Sequence, residues 1–369
     1  MKLTNDSIDL YLPYENLKKY RPFSRITLRV YAFFIMFSNL FTPKNVIKTK
    51  RTTLLNKNVN ANQWVDKIIN TFQITKNSEK TNLIVKLKLN NTNYHFYNLL
   101  QKKIATLIPT EANRPTIDLK IIGEKAPVQK KFFGIVGGVG PLSDAAILDL
   151  TIKKLYAETV KIHLYSSPPP RQQNFITLLK NLWNYCINLK KFLRKTSINR
   201  YSIASNTAHL NFNFLQRLAR NRIFNLVNQV VENISASKTK NTRILILGTF
   251  QGRKKFLYEK LFKKNKIKSF SLPLKTALSV QKIIDNVKAN KNDLQNSVRL
   301  VNLIKKKVIQ AQKQDKSITH ILLGCTELPL CLEFFGKDFQ KKLEAEIGVK
   351  IINTEKTFAK IIANQISKS

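Results

Sequence analysis

Two stretches of the sequence place a side chain that can carry a proton directly after a predicted strand and before a predicted helix. In IASNTAHLNF that side chain is Ser205, followed by Asn206 and Thr207. In ILLGCTELPL, 120 residues later, Cys325 holds the matching position and is followed by Thr326. Backbone N–H groups at a helix start favour negative charge, so we expect them to lower the pKa of the Cys325 thiol and make it a useful base. The two loops are therefore interpreted as halves of one site.

The two halves are chemically unequal, because a serine hydroxyl is a far weaker acid than a thiol. Ser205 can act as a comparable base only with a neighbour that takes its proton, and His209 is the nearest candidate. The alternative for Cys325 is that it fills a core position, as single cysteines commonly do. Cys331 and Cys186 lie on apolar stretches and are predicted to be packing residues.

Two further segments suit the binding of a carboxylate. The turn GIVGGVGP contains Gly137 and leads from an apolar strand into a helix, whose free N–H groups can hold an anion. It lacks the spacing and the downstream acid of a dinucleotide-binding fingerprint, so we reject a nucleotide cofactor. Arg171 follows three prolines. A guanidinium on a stiff loop suits bidentate capture of a carboxylate, with a solvated surface arginine as the alternative.

From Lys131 onward, apolar strands alternate with helices. The strands are predicted within FFGIVG, VKIHLY, the segment before Ser205, TRILILG, THILLG and VKII. This alternation predicts an α/β fold with mostly parallel sheets flanked by helices, and two such series in tandem predict two lobes. Ligands bind at the carboxyl ends of the strands in such sheets. Gly137, Ser205, Thr249 and Cys325 fall at those ends.

The first 130 residues look like a separate, small α+β unit without a recognisable motif. NQWVDKIINTFQI has helical spacing, LIVKLKLNNTNYHFY is typical of two short strands around an Asn-rich turn, and RPTIDLKIIGEKAPVQKK is interpreted as a connector. The apolar residues 30–41 are too few for a membrane span, which needs about 20. They are predicted to form a buried helix, with a helix on a membrane surface as the alternative.

The chain of 369 residues has a formal net charge of +42 and 43% hydrophobic residues. The hydrophobic share predicts a folded chain. The positive charge is spread along the sequence, with 22 Lys+Arg against 8 Asp+Glu in residues 1–130, which fits a codon bias better than one nucleic-acid-binding stripe. It still predicts salt-dependent, non-specific binding to polyanions. Three cysteines are too few for a disulfide scaffold, and with no cleavable signal visible they predict a cytoplasmic protein.

Six motifs together resemble the aspartate/glutamate racemase family. They are GIVGGVGPLSD, YSSPPPRQQNFI, SNTAH, LILGT, GCTELPL and IINT, and they occur in the family's order over residues 131–369. The pair of NTAH and GCTEL is specific, whereas the glycine turn alone is not. The resemblance does not cover residues 1–130. It implies a first lobe of residues 131–240 plus 350–369 and a second lobe of residues 241–349, after an N-terminal extension of residues 1–130.

The resemblance implies an enzyme that needs no metal and no cofactor, that is usually a homodimer, and whose active site lies in the cleft between two pseudo-symmetric lobes. In the family, two cysteines on opposite sides of the substrate's α-carbon remove and return its proton. Cys325 matches the second cysteine. Arg171 and Lys288 match the cationic contacts to the carboxylates of a small acidic amino acid. The remaining members of the predicted substrate-binding set are Asn206, Thr207, Thr326, Thr249 and Gly137.

Three departures from the family bear on activity. Ser205 stands in place of the first catalytic cysteine, Asn353 stands in place of the acid in the last strand, and Gly252 and Lys255 replace Thr and Ser after LILGT. Three interpretations remain open. The first is an amino-acid racemase that exchanges the α-proton through Cys325 with restricted stereochemistry. The second is a lyase-like enzyme with one thiol, and the third is an inactive binding or scaffold protein.

Overall fold

The computed structural model describes residues 49–54, 65–66, 68–70, 82–89, 96–108, 116–123, 125–126, 131–137, 140–155, 159–167, 185–289, 294–312, 318–336 and 338–368. Two predicted features lie outside these residues. They are Arg171 and the apolar stretch of residues 30–41.

The strands form two sheets. The strands are β1 (Thr49–Leu54), β2 (Asn82–Leu89), β3 (Thr116–Gly123), β4 (Phe132–Gly137), β5 (Lys161–Ser166), β6 (Ile198–Ala204), β7 (Ile223–Phe224), β8 (Arg243–Gly248), β9 (Lys268–Ser271), β10 (His320–Gly324) and β11 (Lys350–Asn353). The first sheet has the order β1-β2-β3-β5-β4-β6-β7 and the second β11-β10-β8-β9. Neighbouring strands are parallel except β3 and β5, which pair antiparallel.

Helices connect the strands and cover the sheets. The helices are α1 (Phe96–Leu107), α2 (Pro141–Lys153), α3 (185–193), α4 (Phe212–Leu218), α5 (Leu226–Ala236), α6 (Phe250–Lys254), α7 (Glu259–Lys264), α8 (Leu274–Lys288), α9 (Leu294–Gln312), α10 (Leu328–Glu333), α11 (Phe339–Ile347) and α12 (Thr354–Ser367). Residues 65–66 and 68–70 are also helical. The predicted α/β class, with largely parallel sheets flanked by helices, is confirmed.

Local sequence explains why these elements form. Helix α5 buries Leu226, Val230 and Ile234 on one face, at the spacing that an amphipathic helix requires. The side chain of Asn225 accepts a hydrogen bond from the Asn228 N–H at 2.9 Å and caps the helix start. Strand β10 is a continuous apolar run, as expected for a parallel strand that is buried on both faces.

The N-terminal segment is not separate from the rest of the sheet. The predicted connector contains β3, and its Leu119 lies opposite Leu164 of β5. Ile117, Leu119 and Ile121 are buried, so the alternating apolar residues form a strand that covers the edge of β5. Of the two short strands predicted in residues 83–97, the first is confirmed as β2. The second is wrong, because Phe96 begins helix α1, which buries one face. Where one folding unit ends and the next begins remains a prediction.

The last strand and helix divide between the two sheets. We expected residues 350–369 to join the first lobe, but β11 pairs with β10 in the second sheet. Helix α12 instead packs against α2 and α5, which follow strands of the first sheet. The chain therefore crosses from one lobe to the other at residues 353–354, beside the loops that carry the candidate site.

One apolar core connects the two sheets. A single cluster of buried side chains extends from Leu83 and Phe96 in the N-terminal segment, through Ile135 of β4, to Ile246 and Leu322 of the second sheet.

Among the described residues, no helix is both long enough and apolar enough to cross a membrane.

Candidate active site

A small cleft lies between the loops that follow β6 and β10. The first loop comes from the seven-stranded sheet and the second from the four-stranded sheet. Parallel strands end at the same edge of a sheet, so the topology brings these loops together. The cleft is lined by Ser205, Asn206, Thr207, Lys288, Cys325, Thr326 and Glu327.

Ser205 occupies the first residue after β6, and its loop continues into a short 3-10 helix, Thr207–Asn211. His209 of that helix is buried, and burial lowers the pKa of its imidazole to about 4. Its Nδ1 donates a hydrogen bond of 2.7 Å to the Ser205 carbonyl oxygen. Its Nε2 has no hydrogen-bond partner among the described residues. His209 therefore holds the backbone of the loop and does not hydrogen bond to the Ser205 hydroxyl.

Cys325 is the buried acid–base candidate of the opposite loop. Its thiol donates a hydrogen bond of 2.7 Å to Oε2 of Glu327. Burial raises the pKa of the Cys325 thiol well above its usual value, the Glu327 carboxylate raises it further, and the Lys288 ammonium lowers it. The expectation that N–H groups at the helix start would lower this pKa is wrong, because burial and the neighbouring carboxylate outweigh them. Cys325 is therefore a neutral thiol at neutral pH.

Glu327 is the residue of the cleft that the sequence interpretation missed. It lies two residues after Cys325 and is buried, with 4% of its surface exposed. A carboxylate within hydrogen-bond distance of a thiol can accept its proton during a reaction, although its own negative charge disfavours the thiolate in the resting site. The signal was present in GCTEL, where an acid follows the cysteine at the start of a helix.

Lys288 brings a positive charge to the same cleft. It lies in the last turn of helix α8 and is buried, with 4% of its surface exposed. A buried ammonium group requires negative partners. It stabilises the thiolate form of Cys325 and lines the cleft.

Hydrogen bonds from the second sheet hold the Ser205 loop in place. Asn206 donates from Nδ2 to Oγ1 of Thr354 at 3.3 Å, and its Oδ1 accepts a hydrogen bond from the Tyr258 hydroxyl. Thr354 in turn donates to the Leu323 carbonyl oxygen at 2.6 Å. These side chains are buried, so they join the carboxyl end of β10 directly to the loop after β6.

Three threonines contribute similar links. Thr207 and Thr249 share a hydrogen bond of 2.9 Å between their hydroxyl oxygens, and Thr249 also accepts a hydrogen bond from the Gly252 N–H at the start of α6. Thr326 donates to the Ser143 hydroxyl at 3.2 Å. Thr249 therefore supports Thr207 from behind and is not part of the cleft lining.

Gly137 and Asn353, both named in the sequence analysis, do not line the cleft. Gly137 ends β4, and a Cβ atom there would overlap the carboxylate of Asp144, which accepts a hydrogen bond from Ser166 at 2.8 Å. Gly137 is thus placed against a buried acid and not beside the cleft. The side chain of Asn353 accepts a hydrogen bond from the Lys356 N–H and caps α12.

The other two cysteines lie outside the cleft lining. Cys331 is fully buried in helix α10, and Cys186 is half-buried in helix α3. Among the described residues, no group of three or more His, Cys, Asp or Glu side chains is arranged to hold a metal ion.

Gly140→Ala tests the contact between Glu327 and Cys325. The backbone of Gly140 (φ −106°, ψ 100°) is open to alanine, but the new Cβ would overlap Oε1 of Glu327. The flexible carboxylate must turn away, which removes a charge that raises the pKa of Cys325. We expect iodoacetamide to modify Cys325 several-fold faster at pH 8, measured by mass spectrometry of the Cys325 peptide. Glu327→Gln should act in the same direction, and unchanged rates in both variants would contradict the contact.

Glu355 is a second buried acid, next to Thr354 in the first turn of α12. Its carboxyl oxygens are buried and have no hydrogen-bond partner within the described part of the chain. Burial raises its pKa well above the usual value, and the charges of Glu333 and Glu327 raise it further, while Lys356 lowers it. Its carboxyl is therefore held neutral in the folded protein over a range of pH in which an exposed carboxyl is charged.

Glu355→Gln is expected to stabilise the fold at neutral pH and not at pH 4. Below the unfolded-state pKa of about 4.3, the carboxyl is neutral in both states and costs nothing. As the pH rises, the unfolded chain gains a charge that the folded chain cannot accommodate, so stability falls. Removal of the acid should raise the melting temperature by several degrees at pH 7.5. An equal change at pH 4 and pH 7.5, measured by calorimetry, would contradict this explanation.

No protein-family model and no curated protein sequence matches the chain. Solved structures with a similar fold include an aspartate racemase homologue from Pyrococcus horikoshii (21% identity, TM-score 0.47, 64% of this chain and 99% of that chain) and the Picrophilus torridus aspartate racemase (19%, 0.48, 64% and 94%). Another is a glutamate racemase from Francisella tularensis in complex with D-glutamate (21%, 0.44, 65% and 82%).

Proposed function

We propose that this chain is an amino-acid racemase-type enzyme that exchanges the α-proton of a small acidic amino acid through Cys325, without a cofactor and with restricted stereochemistry. The observation that supports it is the convergence of Cys325, Glu327 and Lys288 with Ser205 in one cleft. The pair of motifs NTAH and GCTEL supports the same assignment. The proposal includes a homodimer and a cytoplasmic location, for which the family resemblance is the support.

The acid–base step begins from the neutral thiol. Glu327 accepts the proton of Cys325 across their 2.7 Å hydrogen bond, and the resulting thiolate removes the proton from the substrate's α-carbon. The electron pair of that C–H bond moves into the adjacent carboxylate. The Lys288 ammonium binds this carboxylate and stabilises the added negative charge. The hydrogen on the sulfur exchanges with that on Glu327 and with solvent, and the thiol of Cys325 then returns a proton to the same face. Glu327 finally gives its proton back to the sulfur.

Inversion requires a proton from the opposite face. Ser205 lines the cleft from the other loop, and its hydroxyl holds its proton far more tightly than a thiol does. His209 does not assist it, since its Nδ1 binds the Ser205 carbonyl oxygen. Exchange with retention should therefore outpace inversion.

The lining of the cleft favours a small acidic substrate. Buried polar side chains and one buried ammonium line it. These features suit a short molecule with carboxylate groups.

Proton NMR in D₂O tests the proposal. The L- and D-enantiomers of aspartate and glutamate are incubated separately with the purified protein, and the loss of the α-proton signal is followed over time. We expect loss for one enantiomer of one substrate, with slower appearance of the opposite enantiomer by chiral chromatography. If none of the four amino acids exchanges its proton, the proposed activity is wrong.

The alternative is an inactive protein that binds an acidic ligand in the same cleft. Ser205 in the place of a second thiol, and the raised pKa of Cys325, favour it. In that case aspartate or glutamate raises the melting temperature without any α-proton exchange. The two measurements together separate the enzyme from the binding protein.

A further inference from the structure

The outer edge of the four-stranded sheet carries a concentrated positive charge. Between residues 238 and 282 the chain has thirteen lysines and arginines and one acidic residue, Glu259. All of these residues are described by the structure. We call six of the exposed lysines of this region the basic edge: Lys238, Lys260, Lys263, Lys264, Lys266 and Lys268.

The basic edge is one continuous surface. Lys238, which follows helix α5, donates a hydrogen bond of 2.7 Å to the Asn265 carbonyl oxygen. Asn265 caps helix α7, which carries Lys263 and Lys264, and β9 begins at Lys268 three residues later. Within the described residues β9 pairs only with β8, so this strand is the border of the sheet.

The charge of the basic edge is not neutralised locally. None of the ion pairs found among the described residues includes one of its lysines. The carboxylate of Glu259, the one acid in the region, accepts a hydrogen bond from the Ser271 hydroxyl. Exposed lysines on an edge strand can simply protect it from pairing with other strands. That explanation covers Lys268 but not the lysines of helix α7.

An exposed aromatic ring lies beside these lysines. Phe256 is 46% exposed, and the guanidinium of Arg253 stacks over its ring at 5.2 Å from the centroid. Its φ of 56° is a left-handed conformation that disfavours a bulky side chain. The position directly follows helix α6 and its cap residue, where glycine is the usual residue. A strained backbone thus presents an aromatic ring to solvent.

We propose that the basic edge and Phe256 bind single-stranded nucleic acid. Lysines that follow a curved surface neutralise successive phosphates, and an exposed ring with a stacked guanidinium offers a base a face on which to stack. This combination is what sequence-independent binders of single strands use. The surface belongs to the second sheet and shares no residue with the cleft lining, so the proposal is independent of the proposed racemase activity.

Fluorescence anisotropy tests the surface with labelled 20-nucleotide single-stranded RNA and DNA of mixed sequence. The triple variant Lys263→Gln, Lys264→Gln, Lys268→Gln is compared with Lys341→Gln, Lys342→Gln, Lys350→Gln. The second set removes equal charge from exposed lysines of α11 and β11, at the opposite border of the same sheet. Each phosphate contact on a single strand contributes ~0.7 to the slope of log affinity against log salt concentration. We expect the first set of three substitutions to reduce the magnitude of this slope by about 2. The second set should leave the slope near that of the native protein.

Phe256→Gly separates stacking from folding. Glycine accepts a positive φ without strain, so the melting temperature should be maintained or raised, while affinity for the single strand falls about fivefold or more. The RNA and DNA arms identify which strand is preferred. Equal losses in the two triple variants, unchanged affinity in Phe256→Gly, or binding to vesicles with 30% anionic lipid in place of oligonucleotides would each overturn the proposal.

Discussion

Cys325→Ala is expected to abolish α-proton exchange, with a loss of at least about 10³-fold. The cleft lining contains one thiol, and Glu327 can form a thiolate only from that thiol. Glu327 cannot itself replace the sulfur, because a carboxylate is a far weaker base than a thiolate. The loss should appear in kcat, measured by proton NMR in D₂O at saturating substrate.

The matched control is Cys331→Ala. Cys331 is also a buried thiol, six residues further along the chain in helix α10. Its side chain packs in a cluster of buried apolar side chains and does not line the cleft. Its replacement should lower the melting temperature and leave exchange within a few-fold of the native rate. Exchange that survives in Cys325→Ala would assign the proton transfer to another group and contradict the proposed mechanism.

Ser205→Cys is expected to convert slow inversion into efficient racemisation. A thiol has a reference pKa of about 8.5, so a second cysteine can exchange protons on the face that the serine hydroxyl serves poorly. Ser205 is only half-buried, and a sulfur atom should fit with little rearrangement. The rate of appearance of the opposite enantiomer should rise at least about tenfold and approach the rate of α-proton exchange.

Ser205→Ala provides the comparison for this gain. If the hydroxyl contributes little, exchange with retention should continue at nearly the native rate, while inversion stays slow. A large loss of exchange in Ser205→Ala would instead give the hydroxyl an essential role. Activity in Ser205→Cys with none in the native protein would favour the inactive binding protein as the present state of this chain.

The strand–helix alternation of residues 131–369 was sufficient to predict the fold class, because parallel strands that are buried on both faces leave continuous apolar runs such as ILIL and HILLG. The N-terminal strands were harder to recognise. In RPTIDLKIIGEKAPVQKK, proline and charged residues on both sides resemble a connector. The pairing of β3 with β5 that makes it a strand is a contact between distant segments, which no local pattern records.

The candidate site was predictable by position and not by electrostatics. Ser205 and Cys325 were assigned to one site because both directly follow strands, and the structure places them in one cleft. Whether each residue has the proposed role remains a prediction. The pKa of Cys325 could not be read from the sequence, since it depends on burial and on the side-chain conformation of Glu327. The same holds for Glu355, whose isolation from hydrogen-bond partners is a property of the packed core.

The antiparallel pairing of β3 with β5 has a consequence for biosynthesis. Strand β3 leaves the ribosome before β5 and must wait, unpaired on that side, until residues 161–166 have been translated. A chain that began at residue 131 would leave the backbone groups on this edge of β5 unpaired, which is the kind of surface that recruits strands from other molecules. The N-terminal segment therefore covers an edge that would otherwise be open to pairing with other chains.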